Sequence, residues 1–467
     1  MRLVMKFGGS SLESEEGLRK ICYIVERQAK AGDKIAVVAS AIGDTTDRLL
    51  EICEKAAGGD KKSVEDFVYD LKAEHLKICN IAATCGEVRM EIGHEISRLI
   101  DELRDVLIGI AHVREVTPKI RDYVLSFGER LSVPILWACL RSKGLKTEKF
   151  TGSEAGIVTD SNFGNARPLL ELTFHQVKVR LGKLYEAGVI PVVSGFIASD
   201  QNGRTTTMGR GGSDLTASLL AAALNADEIW LWTDVDGIMT ANPKIEPSAK
   251  TIRQLSFQEA MEMAFFGAKG IHPKAIEVAM DKGIPIRVKN TFNPDGPETL
   301  ISEEAEIVPG FAAKAVSLIP KVSVITVEGA GMVGAPEVAA ELFQILGEKK
   351  TSILMISQGS SEANISFVVP RDAGEELLPL LEMKLMGRKG VRRIELEDDV
   401  CIVALVGAGM KGTPGIAAKV FGAVAKEGIN VRMIAQGSSE LNISFVVKEQ
   451  DGPKAVRALH QEFRLGS

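Results

Sequence analysis

The chain has 467 residues, 45% apolar and 25% charged, which is enough for two or three domains with a sizeable core. Its 56 Lys and Arg against 62 Asp and Glu leave a formal charge of −6, of the wrong sign and too mild for a nucleic-acid coat. Lys6 follows only a few apolar residues and the weakly polar run from Leu215 to Ala226 falls short of about 20 residues, so neither a leader nor a membrane span is expected and the expectation is a cytoplasmic protein. Cys22, Cys53, Cys79, Cys85, Cys139 and Cys401 form no CxxC pair, which predicts unpaired thiols in a reducing compartment and no protein-built metal site.

In chain order, LVMKF and KIAVVAS read as β-branched strands, and residues from about Thr46 to Glu115 form a helical excursion. VIPVVSGFI, EIWLWTDV and IPIRVKN then resume the strands. With helices between them, these predict an α/β domain with a mostly parallel central sheet buried on both faces. The pattern closes near Asn290, and NPDGPETLISEEAEIVPG is an acidic, loop-rich boundary that ends the first domain at about residue 305.

An internal repeat follows. GAGMVGAPEVAAELF at Gly329 matches GAGMKGTPGIAAKVF at Gly407, 78 residues on, and QGSSEANISFVV at Gln358 matches QGSSELNISFVV at Gln436. Each copy reads strand, glycine turn, helix, strand, turn, strand, helix: a small α+β module. VRRIEL completes the first copy, while the second runs out at Ser467. AKAVSLI, before the first copy, is free to supply the missing strand, so the expected modules are 321–396 and 311–320 plus 397–467.

Both copies carry GxGxxG (Gly329, Gly331, Gly334; Gly407, Gly409, Gly412), but about 20 residues on, where a ribose-holding acid belongs, stand Lys349, Lys350, Glu427 and Gly428. A turn receiving a small anion, or another chain, fits better than a dinucleotide site. No GxxxxGK[ST] occurs. The first domain has two glycine loops joined to charge. Lys6-Phe7-Gly8-Gly9-Ser10-Ser11 ends the first strand, and Thr206-Thr207-Met208-Gly209-Arg210-Gly211-Gly212-Ser213-Asp214 opens the helix LTASLLAAAL. Two such loops, each with a cation and a helix start, predict a polyphosphate site.

KFGGSS, SAIGDTTD, FGERLS, GFI, TTMGRGGSD, WTDVDGI and FGAKGIHP, in this order, resemble the monofunctional aspartokinases of the amino-acid kinase superfamily, and the repeat resembles their tandem, ferredoxin-like ACT domains. The resemblance implies transfer of the ATP γ-phosphoryl group to the β-carboxylate of L-aspartate, with Mg²⁺. A carboxylate nucleophile is already ionised at neutral pH, so cations and N–H donors, rather than a general base, should dominate the site. Lys6 would meet the phosphoryl in flight, Gly8, Gly9 and Ser10 would cradle phosphates, and Asp214 would orient Lys6 or a metal-bound water. The nucleotide would be met by Thr233, Asp234, Met239, Lys244, Lys269 and Gly270. Arg210 has the planar fork for the α-carboxylate and Glu129 the charge for the α-ammonium, while Ser40, Thr46, Phe196 and Ser213 match family positions around the same substrate. The chain departs from the family at Ser10 for Thr, Met239 for Tyr, Asn242 and Lys244 for Asp and Arg, and Gly270 for Val. The histidines, His272 included, read as structural.

The modules predict feedback by threonine or lysine, bound around Gly331, Met332 and Gly334 with Ile353 and Gln358, and a homodimer or higher homo-oligomer paired along sheet edges. Two rivals stand beside this reading: another carboxylate kinase, such as a glutamate kinase, and a catalytically silent amino-acid sensor. Intact Lys6, Glu129, Arg210 and Asp214 speak against silence.

Overall fold

Residues 1–238, 251–264 and 269–305 form one compact unit, and 239–250, 265–268 and 306–467 a second. The structure, a computed structural model, describes residues 1–466 apart from 84, 269, 305–311, 333–335, 360–362 and 389.

In the first unit, β1 (Arg2–Phe7) buries Leu3, Val4, Met5 and Phe7, so both strand faces are covered, as a parallel sheet under helices requires. After α1 (Gly9–Leu12), α2 (Glu15–Lys30) starts at Ser14, whose hydroxyl accepts from the Gly17 N–H at 3.0 Å, and turns Leu18, Ile21, Cys22 and Val25 inward at helical spacing. β2 (Lys34–Ala39) precedes the helical excursion: α3 (Thr45–Ala57), α4 (Lys61–Ala82), α5 (Gly86–Val113), α6 (Pro118–Leu125) and α7 (Phe127–Ser142). Their apolar faces share one core with the sheet. The unit continues with β3 (Thr147–Phe150), α8 (Gly152–Ala155), β4 (Val158–Thr159), α9 (Leu170–Glu186), β5 (Ile190–Ser194), β6 (Ile197–Asp200), β7 (Thr205–Thr207), α10 (Gly212–Leu224) and β8 (Glu228–Thr233). It closes with β9 (Gln254–Ser256), α11 (Phe257–Phe265), α12 (Pro273–Asp281), β10 (Ile286–Asn290) and β11 (Thr299–Ser302).

The sheet order is β3-β5-β2-β1-β8-β10-β11-β9, every neighbouring pair parallel except β10 with β11. The strands on either side of β1 are β2 and β8, so the strand order reverses there, and the carboxyl ends of β1, β2 and β8 open on the crevice where such sheets bind ligands. VIPVVSGFI, expected as one strand, is two strands in different sheets. It breaks at Gly195-Phe196, where Phe196 adopts a φ of +63°, and β6 joins β4 and β7 in a small separate sheet. Cys22 on α2 and Cys139 on α7 lie in disulfide contact, 117 residues apart in sequence, against the expectation of six unpaired thiols. Helix packing brings them together; cysteine spacing gives no hint of it.

The second unit contains β12 (Ala315–Glu328), α13 (Pro336–Glu348), β13 (Met355–Gln358), β14 (Asn364–Pro370), α14 (Arg371–Leu385), β15 (Arg393–Val406), α15 (Ile416–Lys426), β16 (Met433–Ala435), β17 (Asn442–Lys448) and α16 (Gly452–Glu462). Its six strands form one sheet in the order β13-β14-β12-β15-β17-β16. β12 and β15 are long antiparallel strands serving both halves: Ala315–Ile319 pair with Ile402–Val406, and Val324–Glu328 with Arg393–Glu397, across an irregularity at Val322. Two separate apolar cores lie under these halves. The segment Met239–Lys250, between β8 and β9, packs with this unit. Ala241, Ile245 and Ala249 enter the core of the second half, Thr240 accepts from the Val316 N–H at 2.8 Å, and the Thr240 hydroxyl meets His460 Nε2 at 2.9 Å.

Candidate active site

The first loop turns tightly off β1. The Gly8 N–H donates to Trp232 O on β8 at 3.1 Å, and a Cβ at Gly9 would lie 2.6 Å from Ala41 O and 2.8 Å from Gly43 O, so only glycine lets the loop lie against the end of β2. Ser10 follows in α1, and Ser11 bonds Thr291, at the end of β10, at 2.8 Å. The second loop arrives from β7 and ends in α10, which Gly211 caps at a φ of +73°. Asp214, in the first turn of α10, meets Lys6 Nζ at 2.8 Å. The two glycine loops are thus joined by an ion pair.

Glu129 stands beside them. It lies in the first turn of α7, 3% exposed, and its Oε1 accepts from the Ala41 N–H at 3.1 Å. Its Oε2 is buried without a hydrogen-bond partner among the described residues. Burial raises the carboxyl to about 8, opposed by the Ala41 N–H and by the charge of Lys6. Thr46, at the start of α3, and Ala41 pack against Gly128. Ser40 extends β2, donating to Phe7 O at 3.2 Å. Phe196, held in its left-handed conformation by the Thr216 hydroxyl at 3.2 Å, packs on Gly212, and a Cβ on Gly195 would come within 2.6 Å of Ser213. Arg210 is exposed, with no ion pair to any described residue.

Lys6, Gly8, Gly9, Ser10, Ser40, Thr46, Glu129, Phe196, Ser213 and Asp214 therefore come together from elements that sequence separates by up to about 200 residues. Thr233 and Asp234 end β8 on the same sheet edge, their side chains joined at 3.1 Å, and Gly270 faces Thr233. Met239 and Lys244 lie in the segment that packs with the second unit. Lys269 and Gly334 fall outside the described residues. In the first repeat, Met332 is a core residue at 3% exposure and its N–H is used by Gly329 O at 2.9 Å, so neither its side chain nor its amide offers a free contact there. Ile353 packs on that core and Gln358 is exposed at the end of β13. Among the described residues no group of His, Cys, Asp and Glu gathers to hold a metal ion, and no helix is long and apolar enough to cross a membrane.

Of the residues that hold the second loop, sequence reasoning missed Lys274 and Asp122, while His272 has the structural place expected of it. His272 caps α12 and packs against Gly211; Lys274 donates to Asn165 Oδ1 at 2.5 Å and Met208 O at 3.0 Å; Asp122 bonds Thr207. An acid at helical spacing from Leu125 on the buried face of α6 is the signal that could have exposed Asp122.

Two phosphate-ready loops at the carboxyl edge of a mostly parallel sheet, joined by a lysine–aspartate pair, are the frame of a phosphotransferase. The sequence profile of the amino acid kinase family matches residues 1–290, and that of the ACT domain matches 325–382 and 403–463. Aspartokinase of Corynebacterium glutamicum is 33% identical over 99% of this chain and 96% of its own length; chloroplastic aspartokinase 2 of Arabidopsis thaliana is 33% identical over 98% and 84%. E. coli aspartokinase III in complex with aspartate and ADP (R-state) superposes with a TM-score of 0.83 at 29% identity, covering 99% of both chains. The same enzyme with lysine and aspartate (T-state) gives 0.76, also over 99% of both. The chain belongs to the amino acid kinase family, and within it to the aspartokinases that carry paired ACT domains.

Proposed function

We propose that this chain is an aspartate kinase, transferring the γ-phosphoryl group of ATP to the β-carboxylate of L-aspartate to give 4-phospho-L-aspartate, the entry to lysine, threonine and methionine synthesis. The observation that carries the reading is Glu129: a buried carboxylate oxygen without a partner, in the field of Lys6 and beside the two glycine loops. The α-ammonium of a free amino acid supplies the missing partner, and Arg210 supplies a bidentate contact for the α-carboxylate. The reacting β-carboxylate needs no base. Lys6 neutralises the phosphoryl group as charge spreads over its oxygens, Asp214 keeps the ammonium group of Lys6 aimed, and the N–H groups of Gly9 and Ser10 receive the phosphates, while Gly8, whose own N–H is held by Trp232 O, lets the backbone come close to them. Ser40, Thr46, Phe196 and Ser213 wall the aspartate. Thr233, Asp234 and Gly270 meet the nucleotide, with Met239, Lys244 and Lys269 assigned to it by resemblance. Mg²⁺ carried on ATP would offset phosphate charge, and the hard oxygens of Asp214 and Asp234 suit it through its waters.

The modules, with boundaries at 321–396 and 311–320 plus 397–467, sense an end-product amino acid, lysine or threonine. The effector is assigned by resemblance to the turn of Gly331 and Gly334 with Ile353 and Gln358, Met332 serving only as core beneath it. Edge strands β13 and β16, which approach each other within the chain, each present an isoleucine nearly half exposed, Ile356 and Ile434, at matching places in the repeat; the homo-oligomer is assigned by resemblance. A cytoplasmic location belongs to the same reading, since ATP and free aspartate are the substrates.

ATP turnover measured with L-aspartate, L-glutamate and N-acetylglutamate, with and without lysine or threonine, tests this. Turnover with aspartate alone, reduced by one of the two end products, is expected. Turnover with another acid in preference would establish the rival kinase, and effector binding without turnover the silent sensor.

A further inference from the structure

Asp122 lies on α6, one helix before Glu129, and is completely buried. A buried carboxylate ordinarily has a cation beside it, because desolvating an unpaired charge is costly. Here the recorded partners are neutral donors. Oδ2 accepts from the N–H groups of Gly164 and Thr207, each at 2.9 Å, and Oδ1 from the Thr207 hydroxyl at 2.7 Å. Burial pushes the carboxyl above its ordinary value, and those donors, followed by the charge of Arg121, hold it back. The neighbouring Arg121 directs its guanidinium to Glu54.

These donors connect the segments that carry the two proposed aspartate readers. Thr207 ends β7, three residues before Arg210. Asp122 precedes Glu129 by seven residues, and α6 runs into α7 through Ser126, whose N–H donates to Asp122 O at 3.0 Å. The strap containing Gly164 is bound to the same loop, with the Ala166 N–H on Thr207 O at 2.9 Å and Asn165 on Lys274. An apolar side chain could fill the space of Asp122, but it would leave three buried donors unmet and the two segments unconnected.

We propose that Asp122 is a positioning residue for substrate recognition, setting the separation between the Arg210 guanidinium and the Glu129 carboxylate so that the ammonium and carboxylate of one aspartate meet both at once. The inference rests on the assignment of those two residues to aspartate. Its signature is selective. Loosening the connection weakens aspartate binding and leaves the nucleotide, held by the first loop and the end of β8, nearly untouched.

The test uses the full chain with Asp122→Ala, Asp122→Asn and Thr207→Val, alongside Arg210→Lys and Glu129→Gln as controls. Asp122→Ala raises KM for aspartate about tenfold or more with KM for ATP within about twofold, the scale of one or two buried hydrogen bonds lost. Asp122→Asn keeps the shape, offers an oxygen to the two N–H groups and an amide to the hydroxyl, and restores KM for aspartate to within about threefold of the parent. Adding Glu129→Gln to Asp122→Ala costs less than Glu129→Gln alone, because the two readers no longer act together. If thermal melting shows that Asp122→Ala does not fold, Thr207→Val decides: a selective rise of about threefold or more supports the role, and an unchanged KM for aspartate overturns it. Equal changes in both KM values, or an Asn variant as impaired as Ala, also overturn it. If Arg210→Lys and Glu129→Gln raise KM for aspartate while the Asp122 and Thr207 variants do not, positioning alone is wrong. If the controls do nothing either, the assignment of the readers fails and this inference falls with it.

Discussion

Glycine turns open helices in both units, and they differ in what stands beside them. In the first unit, Gly8 and Gly9 follow Lys6, and Gly211 and Gly212 precede Asp214; the resulting ion pair is largely buried, and Glu129 beside it keeps a buried oxygen unmet. In the repeats, GAGM places a methionine where the charge would be. Met332 and Met410 are 3% and 4% exposed, each in the core of its half, and the Met410 N–H is used by Gly407 O at 3.3 Å. A Cβ on Gly407 would lie 2.7 Å from Ala312 O, so that glycine admits the backbone leading into β12 rather than a ligand. Glycine permits close approach of the backbone; the adjacent side chain decides whether a ligand or another part of the chain makes the approach.

The sharpest way to break this contrast is Lys6→Ala. It removes charge stabilisation made mainly in the transition state, so kcat should fall by about a hundredfold or more, roughly 3 kcal/mol, while aspartate binding measured by calorimetry stays close to normal. A kcat within a few-fold of the parent would place Lys6 among ordinary strand residues. The counterpart in the second unit is Met410→Ala, which should cost about 2–3 kcal/mol in stability through the cavity it leaves, seen as a lowered melting transition, with kcat at low temperature unchanged. A loss of kcat without loss of stability would mean that the repeat turn does chemistry after all.

Arg210→Lys keeps the charge but loses the planar fork. KM for aspartate should rise about tenfold, near 1.4 kcal/mol, and KM for ATP much less. Equal rises would assign Arg210 to the phosphates. The last prediction is a pH dependence. Glu129, raised from 4.5 to about 8, is mostly protonated in the free enzyme at pH 7, and pairing with an ammonium requires its ionised form. KM for aspartate should therefore fall as pH rises from 6 to about 8, by at most tenfold per unit, and Glu129→Gln should flatten that profile. The same shift works against folding: stability associated with the protonated carboxyl is full below 4.5 and lost progressively as pH rises to about 8. Glu129→Gln should accordingly melt higher than the parent at pH 8, unless the carboxylate finds a partner in the free enzyme.

The candidate site was legible where chemistry dictates residue type. Lys6 beside two glycines, and Arg210 and Asp214 around two more, stood out because a polyphosphate requires charges that packing does not, while Glu129 was reached through the resemblance of FGERLS to the aspartokinases. Asp122 and Lys274 did not stand out. Their partners are backbone groups of distant segments, and a backbone hydrogen bond leaves no trace in the partner's residue type.

Much of the architecture was equally local. β-Branched runs bounded by glycine marked β1, β2, β5, β8 and β10, and continuous apolar periodicity marked α3, α4 and α5, since a period of 2 or 3.6 is written into each segment by itself. The amino-acid sequence by itself therefore determined the class of fold, the repeat and most of the charged residues of the site. What only the tertiary structure decided are relations between segments: the break of VIPVVSGFI into two sheets at Phe196, the contact of Cys22 with Cys139, the passage of Met239–Lys250 into the second unit, and the linkage of α6 to β7 through Asp122. Each depends on which surfaces meet across a hundred residues or more, or on a φ value that a single residue type does not specify, and neither is encoded by local period or composition.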